Sequence, residues 1–227
     1  MSFGSLTFLR HSAIFRSMSR SASFAGVILA AGESSRMGID KALLPWPLST
    51  EGRPPSKDTF LSAAIRSLSQ ASDFVLVVAG KNQSALAPIT YAAGASMIEN
   101  PDPSRGQFSS LQIGLQEVLN RGRDAAIITL VDRPPAAAAT VLTLRTAFES
   151  ASQDVWAVVP EFGGKHGHPY VIGRDIIEAF LREPATGNAR GVEHRIQERI
   201  LYLAVEDSSV ALNINTPEDY SALAKSF

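Results

Sequence analysis

From residue 24 onward, short runs of consecutive apolar residues alternate with stretches in which apolar residues recur at helical spacing. Residues 24–30, 74–79 and 125–131 are the clearest runs, and such runs are typical of strands buried on both faces of a sheet. Residues 59–69 and 109–121 lie between them and have helical periodicity. Strands that alternate with helices require crossover connections, so the chain is predicted to form an α/β fold around a mostly parallel sheet.

The remaining elements are less regular. A helix is predicted to start at Pro134 and run to residue 148, and residues 46–58, rich in Pro, Ser and Gly, are expected to form a mobile surface loop. Shorter strands are predicted at residues 96–98, 155–159, 170–172, 200–205 and 210–214, and shorter helices at residues 175–181, 188–194 and from Pro217 onward.

The composition is that of a globular enzyme and excludes several other classes of protein. With 45% apolar residues, 19% charged residues and a net charge of −1, the 227-residue chain has no basic face for nucleic acid. It has no cysteine, which excludes disulfides, thiolate metal sites and cysteine nucleophiles. No apolar run approaches the roughly 18 residues of a membrane helix, so we expect a cytoplasmic protein without a membrane partner. Residues 24–227 are expected to form a single domain.

Residues 1–23 differ from the rest of the chain, because they contain Arg10, Arg16, Arg20 and many serines but no acidic residue. Such a composition is found in targeting segments, and equally in termini that do not pack against a fold. Met18 offers a second start shortly before the first apolar run. A disordered extension or an over-long start is therefore the favoured interpretation.

The loop after the first predicted strand carries the most informative motif. The ligand of a parallel sheet lies beyond the carboxyl ends of its strands, and residues 29–38 there read Leu-Ala-Ala-Gly-Glu-Ser-Ser-Arg-Met-Gly, followed by Lys41. Small residues let backbone N–H groups form a concave anion site, to which Arg36 and Lys41 add positive charge for phosphate oxygens. The string is neither a Walker A loop nor a GxGxxG fingerprint. The alternative is an ordinary turn with incidental charges, but this spacing of arginine and lysine favours the anion site.

Asp132 directly follows the apolar run at residues 125–131, so its carboxylate is expected at the same edge of the sheet. Mg²⁺ prefers one or two carboxylates together with phosphate oxygens and water, and Asp132 suits that role. The alternative is a helix N-cap before Pro134, a position that favours aspartate. Next to a phosphate-binding loop, the metal-binding role is favoured.

A third polar segment precedes the predicted helix at residues 109–121. Gly106 is followed there by Ser109 and Ser110, whose hydroxyls could cap the helix or contact a nucleobase. From the spacing alone, capping is the better interpretation.

A fourth segment lies near the C-terminus, where Thr216 and Pro217 form a strong helix start. Helix capping does not account for Asn213 and Asn215, which would share one face of the preceding predicted strand.

His166 and His168 lie two residues apart in a glycine-rich stretch. A zinc site would need further ligands, and His11 and His194 are the only other histidines, so zinc is disfavoured. A substrate contact or a plain loop role is favoured instead.

Taken together, these residues resemble the MobA-like nucleotidyltransferases, and most closely their molybdenum cofactor cytidylyltransferase branch. The similarity covers residue 24 to about residue 223 and implies a three-layer Rossmann-like fold. It rests on Leu29, Ala30, Ala31, Gly32, Ser34, Arg36, Met37, Gly38 and Lys41, and on Gly106, Ser109, Ser110, Leu111, Asp132, Pro134, Gly167, His168, Pro169 and residues 213–219.

The resemblance implies that a substrate phosphate attacks the α-phosphorus of a nucleoside triphosphate and that pyrophosphate leaves. Arg36 and Lys41 would hold the triphosphate, and Asp132 would hold Mg²⁺, with Asn213 and Asn215 as further candidate ligands. His168 would lie near the acceptor. The nucleotide would contact Leu29, Ala30, Ala31, Gly32, Ser34, Ser35, Gly106, Ser109 and Ser110.

The pair Ala30-Ala31 resembles the cytidylyltransferase pattern, whereas the guanylyl branch usually has glycines there, and the added methyl groups favour the smaller pyrimidine of CTP. Cytidylyltransferases often carry aspartate where this chain has Asn213 and Asn215, and this departure bears on the acceptor and the subfamily. Three alternatives stay open: a GTP-dependent guanylyltransferase, a sugar- or polyol-phosphate nucleotidyltransferase, and a non-catalytic nucleotide-binding chaperone that delivers cofactor. The leading interpretation is a cytidylyltransferase, and an enzyme of this kind could have a molybdoenzyme as its partner.

Overall fold

The computed structural model describes residues 22–32, 37–47, 56–184 and 187–223. The strands in these ranges are β1 (Phe24–Leu29), β2 (Phe74–Ala79), β3 (Ser96–Glu99), β4 (Ala125–Leu130), β5 (Ala157–Phe162), β6 (Lys165–His166), β7 (Tyr170–Gly173) and β8 (Ile200–Ala204). The α-helices are α1 (Phe60–Ser69), α2 (Gln83–Ala92), α3 (Gln107–Asn120), α4 (Ala138–Ser150), α5 (Arg174–Arg182), α6 (Ala189–Arg195) and α7 (Pro217–Leu223).

The strands form one sheet in the order β3-β2-β1-β4-β7-β5-β6, with β8 paired to β5. The four strands β3, β2, β1 and β4 are mutually parallel. The strand β7 is antiparallel to both of its neighbours, β4 and β5, and β8 runs parallel to β5. The predicted α/β fold with a mostly parallel sheet is confirmed.

Apolar cores lie on both faces of the sheet, which makes the fold three-layered. Side chains of β1 alternate between them: Phe24 and Ile28 enter the core covered by α1, α2 and α4, whereas Ala25 and Val27 enter the core covered by α3, α5 and α6. Gly114 lets α3 approach closely, because a Cβ there would lie 3.0 Å from side chains of β1 and β2. The uninterrupted apolar run of β1 is thus explained by burial on both sides.

Two predicted elements are wrong. The fourth helix begins at Ala138 and not at Pro134, since the proline at position 135 disfavours a helical conformation for the residue before it. Residues 210–214 are not a strand: a short 3₁₀ helix, Ser208–Ala211, is followed by extended chain whose Ile214 N–H donates to the Asp132 carbonyl (2.9 Å). Helix α2, which was not predicted, contains Pro88.

Three stretches with predictions lie partly or wholly outside the described residues. These are residues 1–21 of the expected N-terminal extension, residues 33–36 of the glycine-rich loop and residues 48–55 of the loop that was expected to be mobile. The described residues on either side of positions 48–55 are joined, because Trp46 N–H donates to the Asp58 carbonyl (2.8 Å) and the indole packs edge-on against Phe60. In the part of the chain that the structure describes, no helix is long and apolar enough to cross a membrane.

Candidate active site

Loops from three parts of the chain meet at the carboxyl edge of the sheet. Leu29 and Leu130, the last residues of β1 and β4, are paired neighbours. The Val131 N–H donates to the Leu29 carbonyl (3.1 Å), and the Ile214 N–H donates to the carbonyl of Asp132 (2.9 Å). These bonds hold the glycine-rich loop, the loop after β4 and the segment before α7 against each other.

Lys41 lies at the centre of this edge. It opens the 3₁₀ helix Lys41–Leu43 and is only 8% exposed. Its Nζ donates to Asn215 Oδ1 (3.3 Å) and lies 3.9 Å from Asp132 Oδ2. A buried ammonium group needs polar or anionic partners, and here they come from the two loops that contain the candidate metal ligands.

Asp132 has one carboxylate oxygen directed at Lys41 and one that is orphaned. Its Oδ1 is buried and has no hydrogen-bond partner among the described residues. A buried carboxylate oxygen without a partner is costly, and a cation would satisfy it. Asn215 contributes an amide oxygen beside the same Lys41 Nζ, and Asn213, two residues earlier, is exposed.

These donors fit a hard divalent cation. Carboxylate and amide oxygens are ligands that Mg²⁺ accepts, and it completes its shell with phosphate oxygens and water. No cluster of three or more His, Asp or Glu side chains suitable for a metal occurs within residues 22–32, 37–47, 56–184 and 187–223. A cation at Asp132 would therefore depend on oxygen atoms of a bound triphosphate.

The start of α7 fixes the position of Asn215. The N–H groups of Asn215 and Thr216 donate to Asp219 Oδ2 (2.8 and 3.0 Å), and the Asp219 N–H donates to Thr216 Oγ1 (3.2 Å). The hydrogen bond from Asn215, then that from Thr216, lowers the pKa of Asp219, to which the charge of Lys41 also contributes. The predicted cap at Thr216 is confirmed, and it directs Asn215 towards Lys41.

Asn82, which the sequence did not single out, clamps both ends of the glycine-rich loop. Its Nδ2 donates to the Ala30 carbonyl (2.9 Å) and to Asp40 Oδ2 (2.6 Å), and its Oδ1 accepts from the Gly80 N–H (3.0 Å). Asp40 in turn caps the 3₁₀ helix of Lys41 by accepting from the Ala42 N–H (2.9 Å). Asn82 comes shortly after the end of β2, as Asp132 does after β4. A polar residue at such a position lies at the carboxyl edge of the sheet, so Asn82 could have been predicted as a site residue.

The other predicted residues of the glycine-rich loop have different surroundings. Ala30 is fully buried within the core covered by α1, α2 and α4, and Gly32 is exposed. Ala31 packs closely against Gly80, where a Cβ would lie 2.9 Å from the Ala31 carbonyl oxygen. Ser34, Ser35 and Arg36 lie outside the described residues.

The predicted capping role of Ser109 or Ser110 is wrong. The N-cap of α3 is Gly106, whose φ of 92° is in the region that favours glycine. Asn100 Nδ2 donates to both serine hydroxyls (2.9 Å each), and Ser109 Oγ donates to the Gly106 carbonyl (2.8 Å). The two serines are buried and tie the loop after β3 to the first turn of α3.

A cavity of about 790 Å³, here called the β7–α6 cavity, opens on the same side of the molecule. It is lined by Leu29 at the end of β1 and by residues of β7, α5 and α6. Three predicted site residues, Leu29, Gly106 and His168, line it. Nine other lining residues have polar side chains: Arg105, Gln107, Arg133, His166, Tyr170, Asn188, Arg190, Glu193 and Tyr202.

His168 is neutral in this cavity. Its backbone N–H donates to the Val210 carbonyl (3.0 Å), and its buried ring Nδ1 has no hydrogen-bond partner in the described part of the chain. Burial, together with the nearby charge of Arg133, lowers the pKa of His168 to about 3. His168 thus lines the cavity, whereas the hydrogen bond to Asn215 and the ion pair with Asp132 lie at Lys41.

Comparison with known proteins gives concordant results. The sequence matches the MobA-like NTP transferase domain over residues 26–200. The molybdenum cofactor cytidylyltransferase of Escherichia coli K12 is 25% identical, over 86% of this chain and 92% of that protein. A probable molybdenum cofactor guanylyltransferase of Mycobacterium avium is 28% identical, over 92% and 98%. The crystal structure of Rv0371c from Mycobacterium tuberculosis is 26% identical, with a TM-score of 0.72 over 91% of this chain and 99% of that one.

The α/β sheet and these matches define the class of the protein as a nucleotidyltransferase of α/β fold. The chain belongs to the MobA-like NTP transferase family, whose domain it matches over most of its length. That family normally uses a divalent metal.

Proposed function

We propose that this protein is a Mg²⁺-dependent cytidylyltransferase that transfers CMP from CTP to a phosphorylated acceptor of the molybdopterin type and releases pyrophosphate. The observation that carries the proposal is the convergence of Lys41, Asp132 and Asn215 beside the glycine-rich loop. The molybdopterin acceptor is taken from the names of the two relatives, both of which refer to molybdenum cofactor.

In this proposal the protein acts by binding and by charge. Lys41, with Arg36, holds the triphosphate and offsets the negative charge that develops on pyrophosphate. Asp132 and Asn215 would hold Mg²⁺, which supplies positive charge against the phosphates when bound. Asn213, which is exposed and precedes Asn215 by two residues, is a further candidate ligand. The base and sugar contact the residues predicted for nucleotide binding, Leu29, Ala30, Ala31, Gly32, Ser34, Ser35, Gly106, Ser109 and Ser110.

The proposed preference for CTP rests on the alanines at positions 30 and 31, where added methyl groups favour the smaller base. Because the Ala30 side chain lies in the core, the steric reason for a pyrimidine depends on Ala31, which is held against Gly80. Relatives are named both as cytidylyl- and guanylyltransferases, so the nucleotide is the part of the proposal to test first.

The test measures pyrophosphate release from each nucleoside triphosphate with Mg²⁺, with and without molybdopterin. We expect CTP to be used and release to require the acceptor. Strict use of GTP would replace the cytidylyl assignment with a guanylyl one. Release with sugar or polyol phosphates, and none with molybdopterin, would support those acceptors instead, and binding without any turnover would support a chaperone.

A variant test addresses the metal site. We expect Asp132→Asn to lower kcat about 100-fold or more, because it removes the charge that would hold the cation while keeping the side-chain shape. Asp73→Asn is the matched control, since Asp73 pairs with Arg123 next to the amino end of β1. Equal activity of the two variants would contradict the role of Asp132.

A further inference from the structure

Asp132 and Arg133 are consecutive residues whose side chains face different sites. Asp132 faces Lys41, whereas Arg133 lines the β7–α6 cavity. The guanidinium of Arg133 is half-buried and donates through Nη1 to the Leu212 carbonyl (3.0 Å). Its Nε is buried and has no hydrogen-bond partner among the described residues. The guanidinium of Arg133 thus lies between the loop that carries Asp132 and the β7–α6 cavity.

The surroundings of Arg133 select an anion. An arginine side chain offers a planar set of donors that matches two phosphate oxygens, and a buried donor without a partner is costly. His168 lies close enough for the charge of Arg133 to lower its pKa. The adjacent Asp132 offsets part of the positive charge of Arg133, and the imidazole of His168 is neutral, so a dianionic phosphate on the cavity side would add further compensation.

On the basis of the proposed function, we infer that Arg133 binds the phosphate monoester of the acceptor at the mouth of the β7–α6 cavity, and that the cavity holds the flat heterocyclic body of the same molecule. Arg133 would then present the nucleophilic phosphate to the nucleotide held beside Asp132. The same guanidinium would reduce repulsion between the acceptor phosphate and the triphosphate.

The walls of the cavity suit a flat heterocycle. Ile172, Phe180 and Ile196 provide apolar surface, and the rings of His166 and Tyr202 stack on each other at 4.0 Å with an interplanar angle of 13° at the wall. Glu193 places a carboxylate in the cavity that can accept N–H donors of a heterocycle.

The transfer step balances without a further reactant. An oxygen of the acceptor phosphate forms a bond to the α-phosphorus, and the bond from the α-phosphorus to the oxygen that bridges to the β-phosphorus breaks. The electron pair of that bond leaves with pyrophosphate. If the attacking phosphate is a dianion, no proton has to move, and the summed negative charge of the products equals that of the reactants.

The experiment compares two ligands on three proteins. Equilibrium binding of a pterin phosphate monoester and of the same pterin without phosphate is measured by pterin fluorescence, in the absence of nucleotide. We expect the native protein to prefer the phosphorylated form about 10- to 100-fold, and Arg133→Gln to lose that preference. Arg182→Gln, which breaks only an exposed pair with Glu178, is the control and should keep it.

Arg133→Lys should recover part of the preference, since it retains charge but not the planar fork. Thermal unfolding of each variant separates a binding defect from a folding defect. In steady state, Arg133→Gln should raise KM for the acceptor and leave KM for the nucleotide unchanged.

The inference is overturned if Arg133→Gln keeps the phosphate preference, or if the native protein binds neither form or both equally. These outcomes differ from failure of the proposed function, which is absence of pyrophosphate release. Loss of the preference in Arg133→Gln without any transfer by the native protein would support the phosphate site and remove only the reaction.

Discussion

Lys41 is a buried charged residue that contacts side chains from two distant loops. Its ammonium group is buried, and it joins Asn215, which lies 174 positions away, to the carboxylate of Asp132. A charge in such a place interacts strongly with a bound polyphosphate, because few water molecules screen it. Lys41 is therefore the residue that connects the anion-binding loop with the candidate metal site.

The asparagine at position 215 can be tested by adding a charge. We expect Asn215→Asp to lower the Mg²⁺ concentration for half-maximal activity about tenfold, since a new charge at ~4 Å is worth about 1–4 kcal/mol near a protein surface. Asn213→Asp is the matched comparison, because Asn213 is exposed and precedes Asn215 by two residues. If neither substitution changes the Mg²⁺ dependence, the two asparagines do not contact the metal.

His168 should make stability depend on pH. Its folded pKa is about 3, below the ordinary value of 6.5, so the unfolded chain binds the proton more readily. The free energy of unfolding should therefore fall as the pH drops from 6.5 towards 3, by up to ~1.4 kcal/mol per pH unit.

His168→Gln should remove this part of the slope, as measured by urea unfolding at pH 7, 6 and 5. His166→Gln, a change of an exposed histidine at the edge of the same turn, is the control. An unchanged slope in His168→Gln would show that another group dominates.

At the scale of elements, Asn82 connects the ends of β1 and β2 to the helix that carries Lys41. Asn82→Ala removes three hydrogen bonds, so we expect the free energy of unfolding to drop by about 1–3 kcal/mol and KM for the nucleotide to rise about tenfold. KM for the acceptor should change little, because Asn82 is not part of the β7–α6 cavity.

Asn120→Ala provides the comparison, as Asn120 makes exposed contacts at the end of α3. If Asn82→Ala lowers stability and leaves both KM values unchanged, the clamp supports the fold without positioning the nucleotide.

The start of α4 shows why one element boundary was predicted wrongly. Its N-cap, Ala137, has no side chain that can cap, and the cap comes instead from Asp207, which accepts from the Ala137 N–H and the Thr140 hydroxyl (2.9 Å each). Burial alone would raise the pKa of Asp207, but hydrogen bonds from Ser209, Ala137 and Thr140 lower it. Pro135 was a local signal against a helix that starts at Pro134, but a cap supplied from 70 positions away gives no local signal for the true start at Ala138.

For the whole molecule, binding at one edge of the sheet should raise global stability. At a CTP concentration 100 times its Kd, with Mg²⁺, stabilisation is ~2.7 kcal/mol, which corresponds to a Tm increase of roughly 5–10 °C for a domain of this size. GTP should give a smaller shift, and Asp132→Asn should reduce the shift with CTP. Equal shifts with CTP and GTP would contradict the preference for a pyrimidine.

Much of this architecture is present in the sequence as local pattern. The apolar runs at β1, β2 and β4 predicted a buried parallel sheet, and a residue such as Asp132, placed directly after such a run, must lie at its carboxyl edge. Lys41 could be predicted for the same reason, because it comes after a short loop that leaves β1.

Contacts between distant loops could be settled only by the tertiary structure. The pairing of Asn82 with Asp40, 42 positions apart, and the position of Arg133 at the cavity depend on how the crossovers pack. The capping of α4 by Asp207 depends on the same packing. The sequence by itself determined which of the main strands form and which residues stand directly after each of them, since burial and periodicity are local properties. The tertiary structure decided which of those strand ends act together, because hydrogen bonds between loops depend on distances that no local pattern encodes.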